Sequence, residues 1–153
     1  MRLALYQPDI PQNTGTILRL SACLGVACDI IAPAGFDMSD RALRRAGLDY
    51  LEHVQLSRHA SFADFESERA RRGERLILLT TKAGMPYFEF SFREADCLLL
   101  GRESGGVPEA VHKAADERLV IPMSGNLRSI TVAMAAAMVL GEALRQTGQF
   151  GSE

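Results

Sequence analysis

The stretch DCLLLGRESGGVPE, residues 96–109, decides how the rest of the chain is read. Cys97 to Leu100 form an unbroken apolar run, which suits a strand buried on both faces of a parallel sheet better than one with a wet face. A glycine-rich turn follows, and Pro108 then suits the first turn of a helix reading PEAVHKAA. Strand, turn and helix in that order are the repeating piece of an α/β fold.

Working outward, the same continuous apolarity recurs in RLALY (2–6), ACDIIA (27–32), RLILLT (75–80) and ERLVIP (117–122). Helical patterns lie between these runs. Asn13 is expected to cap TGTILRLSACLG, with Gly25 as its stop; Ser39 with Asp40 opens DRALRRA, stopped by Gly47. Ser61, with Asp64 three residues on, starts FADFESERARR in the manner of a capping box. The last and longest helix is expected from about Ser129 to Thr147. The prediction is therefore α/β: one domain over 1–153, with a largely parallel sheet, helices on both faces and a frayed tail at 148–153.

The chain has 153 residues, 47% of them apolar, enough for one ordinary core. A net charge of −2 gives no overall pull toward a polyanion, so any contact with nucleic acid has to come from a local patch. Cys23, Cys28 and Cys97 form no C-x-x-C pair, as expected of reduced thiols, and His53, His59 and His112 are scattered, so no metal is expected. The N-terminal apolar run is too brief for a signal peptide. Ser129 to Gly141 is uncharged but shorter than the ~20 residues of a membrane span. A cytoplasmic protein without membrane contact is the expectation.

Ligands of open α/β sheets bind beyond the carboxyl ends of the strands, which directs attention to QPDIPQNTG, TKAGM, GRESGGVP and PMSGNLRS. Neither a G-x-G-x-x-G fingerprint nor a P-loop is present. GRESGG instead sets Glu103 among Gly101, Gly105 and Gly106, where exposed backbone can read an adenine or ribose edge; the same residues also suit a plain tight turn. Asn13 and Arg19 lie six residues apart, and Arg19 reads either as a phosphate or oxyanion ligand or as a solvated side chain. Arg41, Arg44 and Arg45 can share a helix face, with Arg58 further on. That cluster is either an RNA contact or a solvated surface, its field diluted by Asp40, Asp49 and Glu52.

Taken in order, PQNTGTILRL, LLLGRESGGVPE and IPMSGNLRSITVAMAAAMVLGEA resemble the three motifs of the SPOUT superfamily of RNA methyltransferases. The resemblance covers about residues 2–148. The short length and RRAGLDY are most similar to the tRNA (cytidine/uridine-34-2′-O)-methyltransferases, which act on the wobble nucleotide of certain leucine tRNAs. This resemblance implies a C-terminal trefoil knot and a homodimer built on the first-motif and C-terminal helices. It further implies S-adenosylmethionine as methyl donor, with S-adenosylhomocysteine as product. Leu79, Gly101, Ile121 and Ser129 would contact the cofactor, with Met123 and Gly106 close by. Arg19, Asn13 and Glu103 would be catalytic, and Arg41, Arg44, Arg45 and Arg58 would bind the tRNA anticodon stem-loop.

Methyl transfer to a ribose hydroxyl is an in-line displacement that also has to dispose of a proton. A guanidinium stays protonated at neutral pH, so Arg19 is expected to anchor a substrate phosphate and stabilise the developing alkoxide, the proton leaving to phosphate or solvent. The third motif departs from the family pattern. Arg128-Ser129-Ile130-Thr131 stands where Arg-Ser-Leu-Asn or Arg-Ser-Met-Asn is usual, and Thr131 is shorter than Asn with one donor fewer. Other readings stay open at this stage. They are methylation of another RNA such as ribosomal RNA, a noncatalytic RNA-binding dimer with a degraded third motif, and a small-molecule-binding module without RNA.

Overall fold

The computed structural model describes residues 1–45 and 49–151. In chain order it runs β1 (Arg2–Tyr6), α1 (Pro11–Leu24), β2 (Ala27–Ile31), α2 (Asp40–Arg45), β3 (Leu56–His59), α3 (Phe62–Arg72), β4 (Arg75–Leu79), β5 (Met85–Pro86), β6 (Asp96–Leu100), α4 (Glu109–Ala114), β7 (Glu117–Val120) and α5 (Val132–Thr147). The strands make one parallel sheet in the order β3-β2-β1-β6-β4-β7-β5. β1 and β6 are neighbours, with Leu5 opposite Leu100. The chain builds outward on either side of that pair, so the loops leaving the two strands diverge and open a crevice between them.

Alternate side chains of the central strands feed two cores. Leu3, Leu5, Ile77, Leu98 and Leu100 face α1 and α5, meeting Ile17, Leu18, Val139, Leu140 and Leu144. Ala4, Tyr6, Leu76, Leu78, Cys97 and Leu99 face the other way, meeting Phe65 of α3 and Val111 of α4. Each fully buried Leu or Ile contributes about 1.5–3 kcal/mol, so the sheet is held chiefly by its two covered faces. Cys28 and Cys97 lie in these cores, whereas Cys23 is exposed on α1. Burial pushes the Cys28 thiol up to about 12. Among the described residues no helix is long and apolar enough to cross a membrane.

All five expected strands form, and helices cover both faces of the sheet. β3 and β5 were not expected. Ser57 and Arg58 break the apolar pattern of β3, which is extended because its backbone pairs with β2; β5 is two residues long and pairs only with β7. Helix starts differ as well. α1 begins at Pro11, whose ring pre-sets helical φ, with Ile10 at the cap position and no side-chain cap, so Asn13 lies inside the first turn. α5 begins at Val132 rather than Ser129, because Thr131 takes the cap position and accepts from the Met134 amide.

Ser39 and Ser61 cap as expected, accepting from the Ala42 and Asp64 amides. Gly25 ends α1 in the left-handed region, φ 66°. Gly47, the expected stop of α2, lies outside the described residues, as does most of the RAGL stretch of RRAGLDY. Gly148 closes α5 at φ 67°, and the Gln149 amide donates to Leu144.

Candidate active site

Four loops gather at the carboxyl ends of the strands and enclose a cavity of about 560 Å³, within the ordinary range of a small-molecule or cofactor site. Leu78, Leu79 and Leu100 floor it from β4 and β6, while Ile121 and Met123 come from the loop after β7. Ser129 to Val132 bring in the start of α5. The six residues named for cofactor contact, Leu79, Gly101, Met123, Gly106, Ile121 and Ser129, all line this one space. Asn13 and Glu103 line it too; Arg19 does not.

The GRESGG turn owes its shape to backbone pairing. The Arg102 amide donates to Gly106 at 3.0 Å, and the Gly106 amide returns a bond to Arg102 at 2.8 Å. Gly106 has φ 65°, a region glycine enters at little cost. A Cβ on Gly101 would lie 2.8 Å from the Gly106 Cα and 2.9 Å from its carbonyl carbon, so only glycine lets the turn close. The resulting cradle of bare backbone forms one wall of the cavity.

Behind that wall sits a residue that the sequence reading did not single out. Asp9 follows β1, and its amide donates to Glu103 Oε2 at 3.0 Å. Its carboxylate accepts from the Ser104 hydroxyl, and Arg102 Nε lies 3.7 Å away. The neighbouring Glu103 carboxyl and the Ser104 hydroxyl hold the Asp9 carboxyl down to about 2. Burial, then the neighbouring Asp9, push Glu103 above the ordinary carboxylate range. Gly35 packs so close to Asp9 that a Cβ there would stand 2.8 Å from the Asp9 Cβ.

His112 and Lys82 also line the cavity and were not expected there. Arg118 Nε donates to His112 Nδ1 at 3.0 Å, so the neutral ring carries its proton on Nε2, which is buried without a partner among the described residues. A lone histidine in a short helix gives no signal of this in sequence, because the contact depends on Arg118 from the next strand.

Arg19 and Asn13 share α1, but six residues turn the helix by about 600°, leaving the two side chains roughly 120° apart. Asn13 therefore faces the cavity while Arg19 is exposed, its guanidinium 4.7 Å from the Tyr50 ring centroid. Arg41, Arg44, Arg45 and Arg58 are likewise exposed and outside the cavity. Arg44 pairs with Glu52 at 3.3 Å and Arg58 with Asp40 at 2.6 Å. Among the described residues no group of three or more His, Cys, Asp or Glu is arranged to hold a metal ion.

Residues 1–141 match the SpoU rRNA Methylase family. The chain belongs to that family. A SpoU relative in Beijerinckia indica, named tRNA (cytidine(34)-2′-O)-methyltransferase, is 65% identical over 146 residues, covering 95% of this chain and 91% of its own. A solved structure described as giving insight into 2-OH methylation of C/U34 on tRNA superposes with TM-score 0.88 at 44% identity, covering 95% of this chain and 94% of its own. A SpoU methyltransferase from Streptomyces viridochromogenes, solved in complex with the cofactor AdoMet, gives TM-score 0.85 at 28% identity, covering 95% of this chain and 57% of that one.

Proposed function

We propose that this SpoU methylase transfers a methyl group from S-adenosylmethionine to the ribose 2′-hydroxyl of the wobble nucleotide, cytidine or uridine 34, in leucine tRNAs. The observation that carries this reading is the 65% identity, over nearly the whole of both chains, to a relative named for that reaction. The family's own label refers to ribosomal RNA, so the choice of tRNA rests on such relatives.

The cavity's volume and its glycine cradle fit a nucleoside cofactor, as does the structure of a relative that holds AdoMet. Leu79, Ile121 and Met123 supply apolar surface for a base, while the backbone of Gly101, Gly106 and Ser129 offers hydrogen bonds to its edges and to ribose. Bound S-adenosylmethionine supplies an electrophilic sulfonium methyl. Asn13 and Glu103 line the same cavity and are the polar groups assigned to the reacting hydroxyl. Arg19 works from outside it as a ligand for an RNA phosphate, a role that suits its exposure and permanent charge. Arg41, Arg44, Arg45 and Arg58 extend the contact along the anticodon stem-loop.

The C-terminal trefoil knot is part of the proposal, supported by Val132 and Ala135 of α5 lining the same cavity as the loops that follow β6 and β7. A homodimer and a cytoplasmic setting complete it. The test is incubation of the purified protein with methyl-labelled S-adenosylmethionine and total RNA from a strain lacking its own wobble 2′-O-methylase, followed by mapping of the label. Label at ribose 34 of leucine tRNAs is the expected result. Label in ribosomal RNA instead, or no label from a protein that binds the cofactor, would overturn it.

A further inference from the structure

The hydroxyl proton has to leave as the methyl group arrives, and the sequence alone suggested phosphate or solvent as its destination. The structure offers a nearer acceptor. Among the described residues Glu103 is the carboxylate lining the cavity, in the same lining as Asn13, and no arginine pairs with it. Among the described residues the other charged or titratable side chains lining the cavity are Lys82, Arg102 and His112. Arg102 lies with the carboxylate of Asp9, and His112 is engaged by Arg118.

Asp9 is built to act on Glu103. Its backbone amide fixes one Glu103 oxygen at 3.0 Å, while Ser104 and Arg102 hold the Asp9 carboxylate in its ionised form. One Asp9 oxygen, Oδ1, is buried with no partner among the described residues, an acceptor with nothing yet to accept. A proton on Glu103 would give this pair a carboxylic acid beside a carboxylate, the arrangement in which two adjoining carboxyls share one proton.

We infer that Asp9 is a positioning residue for proton transfer: its amide, fixed on one Glu103 oxygen at the cavity wall, and the ionised carboxylate of the same residue ready Glu103 to receive the ribose 2′-hydroxyl proton. The inference rests on the proposed methyl transfer. The ribose oxygen gains the methyl carbon as the carbon–sulfur bond breaks, its electron pair stays on sulfur, and the proton passes to Glu103. The protonated Glu103 then donates to Asp9. The upward push on Glu103 from burial and from Asp9 matches this task, since a stronger base is the better acceptor.

Asp9→Asn tests the inference, because the amide keeps the size and the backbone contact but not the charge. The first readout needs neither cofactor nor RNA: carbon-13 NMR titration of protein labelled at glutamate side-chain carboxyls, with the Glu103 signal assigned by its absence in Glu103→Gln. Glu103 is expected to titrate above the other glutamates, and its midpoint to fall by about one unit or more in Asp9→Asn. The second is the pH profile of kcat, whose acid limb is expected to move down by a similar amount in Asp9→Asn, with KM for the cofactor retained. Glu103 titrating with the other glutamates, or an acid limb that does not move, would overturn the inference. Failure of the unmodified protein to label tRNA would instead overturn the reaction itself, with the NMR titration still reading the pair on its own.

Discussion

The hydroxyl of Thr131 accepts a hydrogen bond from the Met134 amide at 3.4 Å, and the same residue lines the cavity. Its departure from the usual Asn in the third motif therefore need not mark a dead enzyme: Thr and Asn are both good N-caps, and the first duty of this position is to begin α5. Thr131→Val keeps the shape and loses the cap. It is expected to cost about 0.5–1 kcal/mol, seen as a fall of roughly 1–4 °C in Tm by circular dichroism. Thr131→Asn should keep Tm and place an extra donor in the cavity, raising kcat. An unchanged kcat would show that the position serves the helix alone. The residue scale is also where sequence was least informative. Glu103 stood out among its glycines, but Asp9 and His112 matter only through partners 94 and 6 positions away, Glu103 and Arg118.

At the scale of elements, legibility followed burial. Strands covered on both faces carry continuous apolar runs and could be read directly, whereas β3 at one edge and β5 at the other take their extension from a neighbour's backbone. Helix starts were misplaced where a stronger local signal overrode the expected cap, as Pro11 did for Asn13. The arginines of α2 show a different limit, because charge pattern alone could not separate an RNA contact from a solvated face. In the structure Arg44 and Arg58 are paired, but at exposed positions where an ion pair contributes only about 0–1 kcal/mol and can be exchanged for a phosphate. Arg41 and Arg45 form no ion pair among the described residues. The double variant Arg41→Ala/Arg45→Ala should therefore raise Kd for the anticodon stem-loop and lower the slope of log Kd against log salt by about 1.5. An unchanged slope in filter binding would make them solvated-face residues.

At the scale of the whole molecule, α5 explains why so long an uncharged segment belongs in this chain. One side, with Ala136, Val139, Leu140, Ala143 and Leu144, is buried against the sheet and α1. The other leaves Met134 and Met138, one helical turn apart, 59% and 42% exposed. Two flexible apolar side chains on the open face of a helix suit a self-complementary contact, since a two-fold axis presents each methionine twice. Full burial of a Met contributes about 1.5–3 kcal/mol, and covering the 42% of Met138 that is exposed contributes the same fraction of that, so losing the position in both copies removes about 1–3 kcal/mol, roughly tenfold or more in the dimer dissociation constant. The unmodified protein is expected to scatter light at micromolar concentration with twice its 16.7 kDa mass. Met138→Lys should shift that mass toward the monomer while leaving the far-ultraviolet circular dichroism intact, because the side chain lies outside the core. A dimer unaffected by this charge would place the interface elsewhere, and a monomeric unmodified protein would mean that α5 keeps its apolar face uncovered.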